Sequence, residues 1–224
     1  MHYLVEELMT RKVVTVGVDA PYREVVALMD RHRVSALPVL DDQDRLVGIV
    51  TSADLILKQD PAVRQEPLPA GARASVEQAK AAGTTAGELM TTPLLTTRPH
   101  HTVAQAVRLL HHFQVKHLPV VDERDRLVGI VSRGDLLRVF LRRDGEIERE
   151  VTEMVLSRPY VAGRVEVAAR VDGGLVRLEG HARTRHDLET LVELVGEVDG
   201  VVGVDASRVA CLAPEPGAPP LRRR

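Results

Sequence analysis

Two short stretches, Thr51–Asp54 and Ser132–Asp135, each place a hydroxyl residue three positions before an aspartate at the predicted start of a helix. This is close to the spacing of a capping box, in which each side chain satisfies a free amide of the first helical turn. The same groups could also hold a nucleotide, because a helix N-terminus attracts phosphate and a carboxylate can accept hydrogen bonds from ribose hydroxyls. The residues alone therefore support two interpretations, capping only or capping together with ligand binding.

The two stretches differ at the position that follows the hydroxyl residue. The second stretch has Arg133 there, whereas the first has Ser52. A cation beside a helix start strengthens the attraction for phosphate. We therefore expect a weaker phosphate interaction in the first stretch.

Both stretches belong to a repeat, because LPVLDDQDRLVGIVTSAD (37–54) matches LPVVDERDRLVGIVSRGD (118–135). The alignment runs without a gap from Leu8 to Leu57 at an offset of 81 residues, and it pairs Leu8-Met9-Thr10 with Leu89-Met90-Thr91. Self-similarity at a fixed offset is the signature of a repeated structural unit. The chain is therefore predicted to build one fold unit twice.

Each copy is predicted to be an α/β (α+β) unit with the order strand, helix, strand, strand, helix. In the first copy, Val13–Val16 reads as a β-branched strand, and Asp19 and Pro21 mark the start of an amphipathic helix. ALPVL and RLVGIV read as two strands joined by the turn DDQD. Gly48 and Gly129 lie inside the last strands, where glycine indicates tight packing or a close approach by another group.

The repeat also sets the expected domain boundaries. Residues 1–58 and 82–143 form the two copies, and residues 59–81, which are rich in proline, alanine and glycine, form a linker. A unit of about 50 residues buries too little apolar surface to be stable alone. We therefore expect the two copies to pack together as a pair.

Both copies resemble cystathionine-β-synthase (CBS) domains, through the LPV strand, the LVGIV hairpin and the T/S-x-x-D helix start. The resemblance implies a homodimer and clefts that bind AMP, ADP, ATP or S-adenosylmethionine. It implies ribose contacts from Asp54 and Asp135, and ribose or phosphate contacts from Thr51 and Ser132. The other residues that it places around the base or the phosphates are Thr15, Val34, Ser35, Ala36, Thr96, Val115, Lys116, His117 and Arg133. Lys116 and His117 replace smaller residues of the first copy, where they could add phosphate affinity or fill the cleft, so two non-equivalent sites are expected.

The histidines do not form a predicted metal site. Adjacent histidines point to different sides of an element, and no carboxylate joins a pair of them at ligand spacing. No Ser/His/Asp or Cys/His arrangement is apparent either, so a non-catalytic protein is predicted. The histidines in question are His100, His101, His111, His112 and His117.

Residues 144–211 are predicted to form helix, strand, strand, helix and strand. RVEVAARV alternates strictly, DGG is a hairpin turn signal, Thr184 and Asp187 repeat the capping-box spacing, and Gly200 is the expected end of the second helix. The region resembles a BON domain at DGGLVRLEGHA and VDGVVGV, which implies contact with phospholipid or a partner. A basic face toward lipid, or an ordinary solvated face balanced by Glu166 and Glu179, could be formed by Arg164, Arg170, Arg177, Arg183 and Arg185.

The composition favours a cytoplasmic protein. The net charge of −2 and the scattered aromatic residues argue against nucleic acid as a partner. The single Cys211 fits a reducing compartment, and no signal peptide or apolar run of about 18 residues is present in the sequence. Residues 212–224 are predicted to be disordered.

These observations lead to two functional hypotheses. The first is a regulatory protein that senses an adenine-containing ligand in the cleft of the CBS pair, needs no other cofactor, and uses the BON-like region to contact a partner or a membrane surface. The alternative is a non-catalytic scaffold whose nucleotide sites are vestigial.

Overall fold

The computed structural model describes residues 3–59, 79–80 and 82–212 of the 224-residue chain. The chain divides into two compact units, Leu4–Leu136 and Leu137–Arg224 with Met1–Tyr3. Most of the predicted linker and nearly all of the predicted tail lie outside the described residues. Within the described ranges, no helix is long and apolar enough to cross a bilayer.

The first unit contains the two copies of the repeat, and each copy starts with a short helix that the sequence did not indicate. The first copy consists of α1 (Val5–Leu8), β1 (Val16–Gly17), α2 (Tyr22–His32), β2 (Ala36–Leu40), β3 (Leu46–Thr51) and α3 (Ser52–Ile56). The second consists of α4 (Ala86–Leu89), α5 (Val103–His112), β4 (His117–Val121), β5 (Leu127–Ser132) and α6 (Arg133–Leu137). One-turn 3₁₀ segments follow α3 and α6, at Leu57–Gln59 and Arg138–Leu141.

The strand pairing brings the predicted site residues to one end of each sheet. β2 and β3 are antiparallel and place Ala36 opposite Thr51. β4 and β5 repeat this register and place His117 opposite Ser132. β1 adds a short parallel edge to β2, whereas the second copy has only an isolated bridge between Thr97 and Val120 at that place.

Two local predictions for the first copy were wrong. The strand expected over residues 13–16 pairs only at Val16–Gly17. The helix expected to be capped by Asp19 is instead preceded directly by Pro21, which has extended backbone angles and lies at the N-cap. Proline suits the start of a helix because the amide that it lacks would have no partner there.

The two copies exchange their leading helices. Ala86 and Leu89 of α4 are fully buried in the core of the first copy, and the Ala86 amide donates to the Ala20 carbonyl at 2.9 Å. In the equivalent contact, the Val5 amide of α1 donates to the His101 carbonyl of the second copy at 2.8 Å. The predicted packing of the two copies is therefore reciprocal, and each core is completed by the other copy.

The glycines of β3 and β5 permit this exchange. A side chain at Gly48 would lie 2.8 Å from Cγ of Met90, and one at Gly129 would lie 3.1 Å from Cγ of Met9. Both distances are shorter than ordinary van der Waals contact. Of the two interpretations, tight packing of the neighbouring unit is therefore confirmed, because the group next to each glycine is a methionine of the other copy.

The second unit forms a three-stranded sheet covered by helices. Its elements are α7 (Asp144–Glu150), which continues as a π-helical turn (Val151–Leu156), α8 (Pro159–Ala162), β6 (Val165–Asp172), β7 (Leu175–Ala182), α9 (Arg185–Gly196) and β8 (Gly203–Cys211). β6 and β7 are antiparallel, whereas β7 and β8 are parallel. The order agrees with the predicted one, although α9 ends at Gly196, because Gly200 with φ of 93° belongs to the following loop.

The predicted turn and cap of this unit are present. Gly173 and Gly174 connect β6 to β7 with positive φ angles, as a two-residue hairpin loop requires. Both of their amides donate to the carboxylate of Asp144 at 2.9 Å, which fixes the turn to α7. Thr184 accepts a hydrogen bond from the Asp187 amide at 3.1 Å and so caps α9.

Candidate functional site

Asp135 caps a short helix and still presents a carboxylate oxygen. Its Oδ2 atom accepts hydrogen bonds from the Ser132 amide at 2.9 Å and from the Ser132 hydroxyl at 2.7 Å. Within the part of the chain that the structure describes, Oδ1 has no hydrogen-bond partner, and the residue is only partly buried. Capping and ligand binding are therefore compatible at Asp135, because they use different oxygens.

Asp54 has the same cap but a different second partner. Its Oδ2 atom accepts from the Thr51 amide at 2.8 Å and from the Thr51 hydroxyl at 2.7 Å. Its Oδ1 atom forms an ion pair with Nζ of Lys80, and both residues are only 8% exposed. The two acids of the repeat are thus not equivalent, and only Asp135 has an oxygen available for a ligand.

A cavity of about 290 Å³ adjoins Asp135. Both copies of the repeat contribute to its wall, because the exchange of leading helices brings the Met9–Val14 segment next to β5. Thr10 pairs there with Ile130 through reciprocal backbone hydrogen bonds of 2.9 and 3.0 Å. The lining residues are Thr10, Lys12, Val13, Val14, Arg33, Val34, Ser35, Ala36, His117, Ile130, Ser132 and Asp135.

This lining offers three kinds of contact. Valine, alanine and isoleucine side chains form an apolar wall, Ser132 and Asp135 form a polar end, and Lys12 and Arg33 contribute positive charge. Ligand pockets in proteins combine such an apolar lining with a few placed polar groups. The arrangement suits a ligand that has a flat apolar part, hydroxyl groups and negative charge.

His117 lines this cavity and contacts the first copy. Its Nε2 atom lies 3.1 Å from the Ser35 hydroxyl, a contact that joins the two copies. Its Nδ1 atom is buried and has no partner among the described residues. Burial lowers the pKa of His117, the charge of Asp135 opposes this effect, and Lys116 adds to it.

The histidines of the second copy predict a pH dependence of stability. Burial also lowers the pKa of His101, assisted by the charges of His100 and Arg98. In the unfolded chain the histidine pKa is about 6.5, so just below this pH the folded protein binds fewer protons than the unfolded chain. Stability should therefore be fully present above about pH 6.5 and decrease as the pH falls through the folded-state pKa values.

Urea unfolding between about pH 7.5 and about pH 5.5 tests this expectation within the range where histidine titrates. Carboxylates such as Asp122, whose pKa the Arg126 hydrogen bonds lower to about 2, titrate below this window. The variant His117→Asn should show a smaller loss of stability on acidification than the wild type. Identical pH profiles for the two proteins would contradict the assignment to His117.

The remaining predicted site residues are placed as follows. The Arg133 side chain donates to the backbone carbonyls of Val115 at 3.0 Å and Leu110 at 3.4 Å, so it stabilises the end of α5 and does not line the cavity. Lys116 is exposed. Thr15 and Thr96 are partly buried and lie outside the cavity lining, in which Val13 and Val14 take the place expected of Thr15.

Sequence reasoning missed the residues that one copy contributes to the other's site. The Leu-Met-Thr match between residues 8–10 and 89–91 showed that Thr10 belongs to the repeat, but it gave no indication that Thr10 crosses to β5. Lys12 and Arg33 belong to no recognisable sequence motif. Lys80 lies in the predicted linker, and only the folded chain brings it to Asp54.

Among the described histidine pairs, His100 has an acidic neighbour, since its Nδ1 atom lies 3.8 Å from Oε1 of Glu123. His111 and His112 are exposed at the end of α5, and His101 Nδ1 lies 3.0 Å from the hydroxyl of the buried Thr97. No group of three or more histidine, cysteine or acidic residues within the described ranges could hold a metal ion.

The arginines of the second unit are largely paired with acids, although not with the acids that the sequence suggested. Arg164 pairs with Asp187 at 3.1 Å, Arg170 with Glu148 at 3.0 Å, and Arg177 with Asp172 at 3.3 Å. Arg185 pairs with Glu189 at 3.2 Å. Arg183 is exposed, and its backbone amide donates to the Arg164 carbonyl at 2.8 Å. These pairs favour a balanced solvated surface over a basic face.

A duplicated unit with exchanged leading helices and a cavity between the copies defines a CBS pair. The family model for the CBS domain matches residues 5–59 and 86–142. The chain therefore belongs to the CBS-domain family. The matched ranges end at residue 142, and the resemblance of residues 144–211 to a BON domain stays a prediction.

Curated relatives include both small CBS proteins and parts of enzymes. The CBS domain-containing protein YhcV of Bacillus subtilis is 32% identical over 132 residues, which are 59% of this chain and 81% of that protein. Inosine-5'-monophosphate dehydrogenase of Mycobacterium tuberculosis is 32% identical over 203 residues, which are 88% of this chain and 34% of the enzyme. The dehydrogenase of Methanocaldococcus jannaschii is 26% identical, and the chain spans 23% of its length.

Two solved structures with bound ligands are similar to the CBS pair. CBSX2 in complex with AMP is 29% identical, and the match covers 62% of this chain and 97% of that chain with a TM-score of 0.54. The CBS domain pair of MJ0100 in complex with 5'-methylthioadenosine and S-adenosyl-L-methionine is 25% identical, with coverage of 62% and 97% and a TM-score of 0.50. The pair is thus similar to CBS pairs that bind adenine-containing ligands.

Proposed function

We propose that this protein is a non-catalytic regulatory protein whose CBS pair binds an adenine-containing ligand in the cavity beside Asp135. The observation that carries the proposal is the free Oδ1 atom of Asp135 at the polar end of a cavity built by both copies. The ribose hydroxyls would donate to this oxygen. The AMP and S-adenosyl-L-methionine complexes of similar CBS pairs support the choice of ligand class.

The rest of the cavity suits the other parts of such a ligand. The apolar side chains of Val14, Val34 and Ile130 offer a surface for the adenine ring. Lys12 and Arg33 lie at the same cavity and can approach a phosphate or a carboxylate, since both are long and exposed. The cations that contact the ligand would thus come from the first copy and the ribose-binding acid from the second.

A ligand can regulate this protein only if it binds one arrangement of the CBS pair more tightly than another. A ligand shifts an equilibrium only by its differential affinity for the two states. The cavity wall comes from both copies, so a ligand contacts residues such as Ser35 and Ser132 at the same time. Such a ligand would stabilise the arrangement in which the two copies are closed upon each other.

A thermal-shift panel with AMP, ADP, ATP and S-adenosylmethionine tests the proposal. A ligand at a hundredfold excess over its dissociation constant stabilises the folded state by roughly 2.7 kcal/mol. We expect at least one of the four to raise the unfolding temperature, and guanosine monophosphate at the same concentration to raise it less. No response to any of the four ligands would overturn the proposal.

We also propose that the CBS pair forms a homodimer in the cytoplasm. The support in the structure is a set of exposed apolar side chains on helices of both copies. Val26 of α2 and Val107 of α5, which align in the repeat, are 40% and 46% exposed, and Ile56 of α3 is 65% exposed. Val26 and Ile56 line the same surface depression, and neighbouring exposed apolar side chains are characteristic of interaction surfaces. Sedimentation equilibrium would measure the mass in solution.

For the second unit we propose a BON-like role in contacting a partner. The agreement between the predicted and observed element order supports the BON resemblance. The ion pairs of Arg164, Arg170 and Arg177 give less support to a membrane role than to a protein partner, because paired arginines leave little net positive charge. Co-sedimentation with anionic vesicles distinguishes the two roles.

The scaffold hypothesis is the second candidate. It is favoured by one observation, namely that both aspartates cap their helices and that Asp54 is fully engaged. In a scaffold, Asp135 would serve only as a cap. The ligand panel therefore separates the two candidates, since a scaffold would show no thermal shift.

A further inference from the structure

The Lys80 side chain binds two residues of the first copy's site. Its Nζ atom forms an ion pair with Asp54 and donates a hydrogen bond of 2.6 Å to the Thr91 hydroxyl. Only 10% of the Lys80 side chain is exposed. A buried ammonium group is costly unless it is paired and hydrogen-bonded, so this position is held by specific partners.

The repeat shows where this ammonium group lies. At the offset of 81 residues, Asp54 corresponds to Asp135 and Thr91 corresponds to Thr10. Asp135 and Thr10 both line the cavity of about 290 Å³. Lys80 therefore binds the equivalents of two residues that form the wall of the open cavity, and it occupies the matching place in the other half of the pair.

Both carboxylate oxygens of Asp54 already have partners. Oδ2 already accepts from the amide and the hydroxyl of Thr51, and Oδ1 accepts from Lys80. A neutral hydroxyl that displaced Lys80 would leave the ammonium group without its counterion. Removing one partner of a buried ion pair is strongly unfavourable, so an adenosine ligand could not compete for this oxygen.

The backbone around Lys80 is itself attached to the first copy. The Lys80 carbonyl accepts from the Gly83 amide at 3.0 Å, and the Thr84 carbonyl accepts from the Tyr22 amide at 2.8 Å. Glu88 accepts from the Thr84 amide at 2.6 Å. Lys80 therefore lies four residues before Thr84, whose backbone is hydrogen-bonded to the first copy.

We propose that Lys80 is an intramolecular occupant of the Asp54 site, so that the CBS pair binds one adenine-containing ligand per chain, at Asp135. The inference rests on the proposed function for the identity of the ligand. It adds that the number of ligands is set by a single side chain of the segment between the copies. Lys80 must be withdrawn before the Asp54 site can accept a nucleoside.

Titration calorimetry with whichever ligand of the panel binds best, starting with AMP, tests this inference. The wild type should bind one ligand per chain, whereas Lys80→Met should bind two. In the double variant Lys80→Met/Asp135→Ala, the Asp54 site should bind as it does in Lys80→Met, whereas the Asp135 site should bind about tenfold to a hundredfold more weakly. Lys58→Met removes the same charge elsewhere in the first copy and should leave the stoichiometry at one.

The outcomes separate the inference from the proposed function. One bound ligand in both the wild type and Lys80→Met, or a loss of affinity on removal of Lys80, would overturn the inference and leave the proposed function intact. Absence of binding in both proteins would overturn both. Binding by Lys80→Met alone would support the occupancy of the Asp54 site and overturn the assignment of the ligand to Asp135.

A second experiment needs neither a ligand nor the Lys80→Met variant, so its result does not depend on whether that variant folds. Lys80 is one of four lysines in the chain, with Lys12, Lys58 and Lys116. Lysine acetylation followed by mass spectrometry should modify Lys80 more slowly than exposed Lys12 and Lys116 in the native wild type, and Asp54→Asn should accelerate it. Equal rates for Lys80 and these exposed lysines would overturn the inference.

Discussion

Replacement of Asp135 by alanine should weaken ligand binding about tenfold to a hundredfold. A hydrogen bond between a neutral hydroxyl and a carboxylate contributes roughly 1.5–3 kcal/mol, and each 1.4 kcal/mol is a factor of about ten in the dissociation constant. In the Asp135→Ala variant the apolar wall and the Lys12 side chain remain. Residual binding is therefore expected, and titration calorimetry measures the loss.

The variant also removes a helix cap, which requires a matched control. Asp187 of the other unit has the same three-residue spacing, and its carboxylate accepts from the Thr184 hydroxyl at the start of α9 and from Arg164. Asp187→Ala should therefore reduce stability through the loss of these two contacts and leave the ligand affinity unchanged. If Asp135→Ala bound the ligand as tightly as the wild type, Asp135 would be only a cap and the scaffold hypothesis would gain support.

Replacement of Gly180 by alanine should unfold much of the second unit. Gly180 lies in β7 with φ of 141°, a conformation that side chains rarely adopt, and an added methyl group would collide with the Glu166 carbonyl and lie 3.0 Å from Cα of Val167. The backbone strain costs about 1–3 kcal/mol, and overpacking against rigid backbone adds about 1–3 kcal/mol. The unfolding temperature of this unit should fall by about 10 °C or more.

Hydrogen exchange resolved by mass spectrometry localises this effect. Peptides from β6, β7 and β8 should lose protection in Gly180→Ala, whereas those from β2 to β5 should not. Gly163→Ala is the control, because nothing lies within 4 Å of the added methyl group and the backbone angles are ordinary. Native-like protection of β7 in Gly180→Ala would show that the strand tolerates a side chain there.

Much of the fold could be predicted because it depends on local pattern. The strands ALPVL and RLVGIV are separated by a turn with its own signal, and the second copy shows the same pattern as the first. The Thr184–Asp187 cap and the Gly173-Gly174 turn are likewise local. The start of α2 was misplaced because Asp19 and Pro21 both signal a helix start, and only their relative position in space decides between them.

The candidate site was less predictable because its wall is assembled from distant segments. Asp135 and Ser132 are recognisable from their spacing, whereas Arg33 and Lys12 reach the cavity only through the packing of the other copy. Arg133 illustrates the reverse case, since a cation beside a helix start suggests phosphate, yet its guanidinium satisfies backbone carbonyls of Val115 and Leu110. The spacing in the sequence identifies the candidate side chains, but the direction in which each side chain points depends on tertiary contacts.

The exchange of leading helices has a consequence for how the duplication can be used. Because α1 completes the second core and α4 completes the first, two identical single repeats could satisfy the same contacts as a symmetric dimer. Identical protomers, however, must change together, so a residue gained at one interface appears at both. Joining the repeats in one polypeptide removes this constraint, and it allows Lys80 to bind Asp54 in one half while a cavity lies beside Asp135 in the other.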